Sequence, residues 1–300
     1  MIPRIGIVAS AHRPQNWMDL YKSIGDNDIE FELVFVGPNQ PDYELPKNFH
    51  FIRSLVKPTQ CFEIACRNTT ADLVMFMTDD CEFKGTRPLD RLNETFKTYK
   101  NEKLLLSCRL STNDIDESHY AHRFYIEDPS SPILSVGGLM SKKFFSDLGG
   151  IDRNFIAVMW DLDLGMRVYA SGGDVLLSDV FLNEDKKKSA GSLLCNEFWR
   201  HDRGLLESLW TKNGKVHFRR TKPFEPFDNL NILSVSQGPR GRWRGNGPVI
   251  IEKIVDRLNI NRRLVKYGPL VRAACQAIGK PAMYPKYTKK LLSRLIRCIY

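Results

Sequence analysis

Short apolar runs alternate with polar, turn-rich breaks through the first half of the chain. Ile5–Ser10, Phe31–Gly37, His50–Ser54, Asp72–Thr78 and Leu104–Leu110 are each brief and rich in Ile, Val, Leu, Met and Phe. Such near-continuous apolar runs fit strands buried on both faces. Between them, Trp17–Ile24 and Gln60–Thr69 carry helix-like patterns, the second placing Phe62, Ala65 and Cys66 on a shared face. Strand–helix alternation predicts a mostly parallel sheet with helices on both sides. Ligands of such sheets bind beyond the carboxyl ends of the strands.

A second unit begins near Ile133. ILSVGGLMS is strand-like, KKFFSDLGG reads as a helix stopped by glycine, and Asp161–Ala170 is helical before Gly172-Gly173. DVLLSDVF, from Asp174, reads as a further strand, and Asn196–Trp210 as a helix rich in aromatic and charged residues. Pro223 and Pro226 then lead to GPRGRWRGNGP (238–248), a loop-forming stretch and the expected boundary of the catalytic unit. The predicted organisation is a domain over 1–220, with halves at about 1–110 and 111–220, and an extension over 221–300.

Composition narrows the class. At 42% hydrophobic and 26% charged residues, the 300-residue chain is of ordinary globular type. No run approaches the roughly 18–20 apolar residues of a membrane span, and the opening MIPRIGIVAS reads as a strand rather than a signal peptide. Seven scattered cysteines without a CxxC pair predict reduced thiols in a cytoplasmic setting. Charge is uneven: residues 249–300 hold twelve Lys or Arg against Glu252 and Asp256, a net of +10, whereas the whole chain carries +9. Residues 1–248 therefore sum to −1.

Two acidic features can carry chemistry. In LVMFMTDDCEF (73–83) an apolar strand runs into adjacent carboxylates, Asp79 and Asp80. Like charges side by side at a strand end call for a positive partner, which can be a hard divalent ion, arginines, or simply water. A turn or helix cap also favours Asp. In WDLDLGMR (160–167), Asp161 and Asp163 open a helix, where the dipole already favours a carboxylate. Asp161 at a rim could instead serve as a general base, with Trp160 as a stacking face. Asp163 reads as structural, paired with Arg167 four residues on. The first turn, Ala9-Ser10-Ala11-His12-Arg13-Pro14, lacks the glycines of a dinucleotide fingerprint, and there is no P-loop.

The order of these pieces resembles family 2 glycosyltransferases. A strand opening, Cys66-Arg67-Asn68, a strand ending in Thr78-Asp79-Asp80, Gly137-Gly138 before a helix, WDLDLGMR with Gly172-Gly173, and HDRGLLESLW (201–210) span roughly residues 4–212. The resemblance implies a GT-A-type (Rossmann-like) α/β fold and a metal-dependent, inverting transfer of sugar from a nucleotide donor to a hydroxyl. It implies that Asp80 holds Mn²⁺ or Mg²⁺ and that Asp79 contacts the ribose or a metal-bound water. Ala9, Ser10 and Arg13 would lie along the nucleotide, with Arg67 and Asn68 lining the same pocket. Gly137, Gly138 and Trp160 would face the sugar or acceptor, and Asp161 would be the base. Asn39 stands where members commonly carry an acid that reads the nucleotide base. Glu184 or Asp185 stands where many carry a further metal-binding histidine.

The implied donor is UDP-, GDP- or TDP-linked, and the implied acceptor a glycan or lipid-linked hydroxyl. In YTKKLLSRLIRCIY (287–300), an apolar stripe faces Lys289, Lys290, Arg294 and Arg297, a pattern able to lie on an anionic membrane surface. The same pattern also fits a helix packed on its own domain. The expectation is a cytoplasmic protein with peripheral attachment to the cytoplasmic membrane face. Lys186–Lys188 read either as a diphosphate clamp or as a solvated loop. Arg240, Arg242 and Arg244 around Trp243 have the look of RNA-binding loops, but no nucleic-acid fold motif accompanies them. The rival readings are a non-catalytic, GT-A-shaped membrane-associated protein and a metal-dependent phosphodiesterase.

Overall fold

The computed structural model describes residues 4–54, 56–117, 123–125, 131–135, 137–184 and 193–227. The chain divides into two compact units, Met1–Gly238 and Pro239–Tyr300, and every described residue belongs to the first. Asp185, Lys186–Lys188, the 238–248 loop and the 287–300 segment lie outside the described residues. Among those residues, no helix is long and apolar enough to cross a membrane.

The elements run β1 (Ile5–Ser10), α1 (Pro14–Ile24), β2 (Phe31–Gly37), β3 (Phe49–Arg53), α2 (Pro58–Asn68), β4 (Leu73–Phe76) and β5 (Cys81–Lys84). Next come α3 (Pro88–Thr98), β6 (Leu104–Thr112), β7 (Ile115–Asp116), β8 (Gly138–Ser141), α4 (Lys142–Asp147) and α5 (Trp160–Ala170). β9 (Asp174–Glu184), α6 (Leu193–Trp210) and the small hairpin β10 (Thr211–Lys212)–β11 (Lys215–Val216) complete the described part. The main sheet has the order β3-β2-β1-β4-β8-β6-β9-β5, with β7 beside β6. Every neighbouring pair along β3-β2-β1-β4 and the β6–β9 pair is parallel. β8 and β5 run the other way. This is the mixed, mostly parallel sheet that the motif order implies.

Period-two alternation explains why both faces are covered. Val8, Val34, Val36, Val74 and Phe76 point to one core, shared with Phe62, Ala65 and Cys66 of α2 and with Trp160 and Leu164 of α5. Ile5, Ile7, Leu33, Phe35 and Met75 point to the other, where Trp17 and Leu20 of α1 and Leu89 and Leu92 of α3 close it. Trp17 is fully buried and meets Phe35 edge-on at 5.5 Å. Cutting such a residue back to Ala costs about 3–5 kcal/mol.

Besides the two-residue strands β7, β10 and β11, two elements were not foreseen from the hydrophobic pattern. β5 is only four residues long and follows the acid pair directly. α3 is strongly amphipathic, but the polar Asp90 and Asn93 are buried beside Leu89 and Leu92, which breaks up the apolar stripe in the sequence. A local signal was present all the same: α1, α2 and α3 each begin with proline, whose fixed φ and missing N–H suit a first helical position.

Candidate active site

The strands β1 and β4 lie side by side in parallel, Val8 opposite Phe76, so the segments that follow them emerge at one rim. From β1 come Ser10, His12 and Arg13; from β4 come Asp79 and Asp80. The loop after β1 is held against β2 by the Ala11 N–H, which donates to Val36 O at 2.9 Å. Gly37 makes this approach possible, because an ideal Cβ there would lie 1.6 Å from Ala11 O. Asn39 then donates Nδ2 to His12 O at 2.7 Å, so the segment after β2 braces the same loop.

Asp79 has no solvent exposure. Its Oδ2 accepts from the backbone N–H groups of His12 and Arg13, both at 2.7 Å, and from Trp17 Nε1 at 3.4 Å. Its Oδ1 accepts from Arg13 Nε at 2.8 Å and from Arg13 Nη2. Burial alone would raise this carboxyl, but the Arg13 charge, the neighbouring His12 and these hydrogen bonds outweigh it and hold Asp79 below the ordinary carboxylate range. The same carboxylates raise Arg13 against the opposing effect of its own burial. Burial lowers His12. The positive partner of the acid pair is therefore the Arg13 guanidinium.

Asp79 is thus corrected from a ligand-contacting residue to a buried anchor that welds the β1 and β4 loops. Asp80 differs. It retains 8% exposure, its Oδ2 takes Arg13 Nη1 at 2.6 Å, and among the described residues its Oδ1 has no partner. Hard divalent ions bind through one or two carboxylates and fill their remaining positions with phosphate oxygens and water. Asp80 fits that role, and Asp79 does not. Among the described residues no group of three or more His, Cys, Asp or Glu side chains could hold an ion by itself. Glu184, at the end of β9, pairs in register with Cys81 and so lies next to Asp80 along the rim.

Across the rim stands the N-terminus of α5. Asp161 is partly exposed there, its Oδ1 accepting from the Leu162 N–H at 3.0 Å. No cation offsets its burial, which pushes the carboxyl up to about 6, against the lowering effect of the backbone hydrogen bonds. Asp163, two residues on, is fully buried and takes Arg167 Nε at 2.8 Å and Trp210 Nε1 at 2.9 Å, the structural role its spacing suggested. The segment leading into α5 is fixed by Asp202, fully buried, which accepts from the N–H groups of Ile156, Ala157 and Val158 at 2.8–3.2 Å. Lys57 reaches the same segment, donating Nζ to Phe155 O at 2.9 Å and to Arg153 O. Burial lowers this lysine to about 7. Asp202 belongs to the HDRGLLESLW stretch, but nothing in the sequence pointed to Lys57.

Gly137 and Gly138 stand next to the end of β4. β8 pairs with β4 so that Gly138 faces Phe76. Gly137 has φ +75°, and a Cβ there would stand 3.1 Å from both Phe76 O and Leu182. Ser10 is partly exposed at the rim and interacts with the Cys61 thiol.

Four further expectations need correction. Ala9 has no exposed surface and contributes only backbone to the rim, its methyl group being part of the Trp17 core. Trp160 is 5% exposed and packs on Phe62 at 4.6 Å and Phe76 at 5.2 Å, a wall beneath the rim rather than a stacking face. Arg67 and Asn68 sit at the opposite end of the sheet. Helix α2 runs back against the strands, so its last residues approach the start of β4, where Leu73 N–H meets Arg4 O. At a rise of about 3.3 Å per residue, Ala71 and Met77 are roughly 20 Å apart. There Arg67 donates Nε to Glu63 Oε1 at 3.0 Å, and Asn68 donates Nδ2 to Ile64 O at 2.8 Å.

No family model matches this chain, and no curated protein matches it. Comparison with solved structures finds a fragment of S. aureus TarS in complex with UDP-GlcNAc at a TM-score of 0.48 and 15% identity, covering 66% of this chain and 64% of that one. A TarS 1–349 structure aligns at 0.46 and 13% identity, over 59% of this chain and 60% of that chain. A Pyrobaculum calidifontis mannosyltransferase, PcManGT, in complex with GDP-Man and Mn²⁺ aligns at 0.45 and 14% identity, over 61% and 56%. The chain thus spans about three fifths of the TarS fragment.

Proposed function

We propose that this protein is an inverting glycosyltransferase that moves a sugar from a nucleoside-diphosphate donor to an acceptor hydroxyl. The observation that carries the reading is a pair of carboxylates at one rim with opposed environments. Asp80 is nearly buried beside a guanidinium, whereas Asp161 is lifted to about 6 with no cation at hand. A carboxylate near that value is suited to take a proton at neutral pH. The motif order along residues 4–212 supports the same assignment.

In this reading the acceptor hydroxyl attacks the anomeric carbon from the face opposite the diphosphate. The carbon–oxygen bond to the diphosphate breaks, its electron pair leaves with that group, and the hydroxyl proton passes to Asp161. Asp80 would hold Mn²⁺ or Mg²⁺, which when bound supplies positive charge to the departing diphosphate. Arg13 holds Asp80 in place through Nη1 at 2.6 Å, and Ser10 and Asn39 border the nucleotide. Gly137 and Gly138 leave room for the sugar. The donor is UDP-, GDP- or TDP-linked; the acceptor is a glycan or lipid-linked hydroxyl, with the basic 287–300 segment bringing the enzyme to an anionic membrane surface.

The test is a thermal-shift panel of UDP, GDP and TDP with and without Mn²⁺, followed by transfer assays with the responding donor. A ligand at 100 times its dissociation constant adds about 2.7 kcal/mol of stability. A shift with one nucleotide that needs Mn²⁺ and disappears in Asp80→Ala is the expected result. Absence of any nucleotide response would overturn the reading in favour of a non-catalytic membrane-associated protein.

A further inference from the structure

The hairpin β10–β11 and the turn after it carry charge of one sign. Between Glu207 and Glu225 there is no acid, whereas Lys212, Lys215, Arg219, Arg220 and Lys222 are all basic. Arg220 turns inward and pairs with Asp152. The other four are exposed. Lys222 donates Nζ to Ser208 Oγ at 3.0 Å, and Lys212, Lys215 and Arg219 have no ion pair among the described residues.

Two of these charges are set against each other. Lys212 and Lys215 are direct cross-strand partners, a placement in which like charges destabilise a hairpin. The turn between them, Asn213-Gly214, has φ +53° and +74°, the left-handed pair suited to a two-residue hairpin, so the register is fixed. The following segment is tied to the end of α6. The His217 N–H donates to Trp210 O at 3.0 Å and the Thr221 N–H to Leu209 O at 2.9 Å.

Among these cations stands Phe218, 51% exposed, edge-on to Tyr169 at 5.4 Å. Cations alone would suit any polyanion. The half-exposed ring adds what a lipid surface uses. An apolar group passes below the headgroups, while lysine and arginine stems lie along the interface and keep their charged ends at the phosphates.

We infer that this hairpin and its following turn form a contact with an anionic lipid bilayer, in which Phe218 enters the headgroup layer and Lys212, Lys215, Arg219 and Lys222 meet lipid phosphates. The contact is distinct from the basic 287–300 segment. Tyr169 stands eight residues along α5 from Asp161, about 12 Å at 1.5 Å per residue, so the contact is also separate from the rim. It holds whether or not that rim transfers sugar.

Co-sedimentation of the full chain with vesicles of phosphatidylcholine, with and without about one third phosphatidylserine, tests this. The wild type should favour the anionic vesicles. Lys212→Glu removes one positive charge, adds a negative one and turns the like-charge pair into an opposite one. Vesicle binding should fall about 25-fold, at about fivefold per charge, while the melting temperature holds or rises. Phe218→Ser should weaken vesicle binding about tenfold and leave binding to heparin unchanged. Vesicle binding that neither substitution alters would place the attachment elsewhere in the chain and overturn the inference. So would absence of vesicle binding, equal affinity for neutral and anionic vesicles, or a Phe218→Ser loss as large on heparin as on vesicles. Asp80→Ala and Asp161→Asn should leave vesicle binding intact, so failure here and failure of the transferase reading are told apart.

Discussion

The acid-pair loop and the N-terminus of α5 face the same rim with opposite electrostatic strategies. Asp79 receives two backbone N–H groups, an indole and two guanidinium nitrogens, and so stays ionised although fully buried. Asp161 is less enclosed, but it meets no cation, and its carboxyl rises to about 6. Depth of burial does not decide the outcome; the company of the carboxylate does. The acid with a cation is held ionised, whereas the one with only backbone N–H partners has its carboxyl raised. Groups pushed apart in this way mark divided roles in one site.

The sharpest way to break this comparison is Asp161→Asn. The variant should lose about 10²–10⁴-fold in transfer rate, the span usual for a general base, while donor-induced melting shifts persist. Activity within a few-fold of wild type would remove Asp161 from the chemistry. Next is Arg13→Met, which strands the buried Asp79 without its cation and should cost about 3–5 kcal/mol in urea denaturation. A loss below about 1 kcal/mol would mean that Asp79 does not depend on Arg13.

The two carboxylates also make opposite demands on pH. Asp161 is raised from 3.8 to about 6, so the folded state binds its proton more tightly than the unfolded one. Its contribution to stability is therefore present at low pH and lost as pH rises from about 4 to about 6. Asp79 is lowered, so its contribution is present at neutral pH and lost as pH falls through the ordinary carboxylate range and below. Transfer should accordingly climb with pH up to about 6 and then level off, since the base must be free of its proton. A rate profile flat from pH 5 to about pH 7 would contradict that assignment. The smallest effect belongs to Arg67→Ala at the far end of the sheet. Its side chain is 48% exposed, so stability should change by no more than about 0.5 kcal/mol, and donor affinity should not change.

Much of this was legible along the chain because the physics is local. β1 and β2 match their apolar runs residue for residue, and Asp161 fell at a helix start as its neighbours indicated. Pairing across long separations was not legible. Arg13 and Asp79 are 66 residues apart, and nothing in either neighbourhood names the other. Arg67 and Asn68 were misplaced for a different reason. Periodicity locates a helix but does not say which of its ends faces the ligand, and in a strand–helix–strand crossover the helix runs back from the rim. Thr59, at the start of α2, is the residue that reaches the α5 lead-in, donating Oγ1 to Phe155 O at 2.8 Å. Trp160 shows the limit of reading an aromatic by type: large rings serve cores and binding faces alike, and only its contacts with Phe62 and Phe76 decide between them.

The Asp202 cap also has a consequence for the order in which the site is made. Ile156, Ala157 and Val158 leave the ribosome with only water to accept from their amides, and the carboxylate that later takes them follows 44–46 residues on. The β1 and β4 loops have by then been complete for about half of the domain's synthesis, since the N-terminal part of a chain is available to fold first. A nascent chain halted before α6 therefore has the residues of the Arg13–Asp79 weld but lacks the Asp202 cap that fixes the segment leading to Asp161. On the proposed reading, the segment that aims the base would be the last piece of the site to be fixed, once Asp202 has been made.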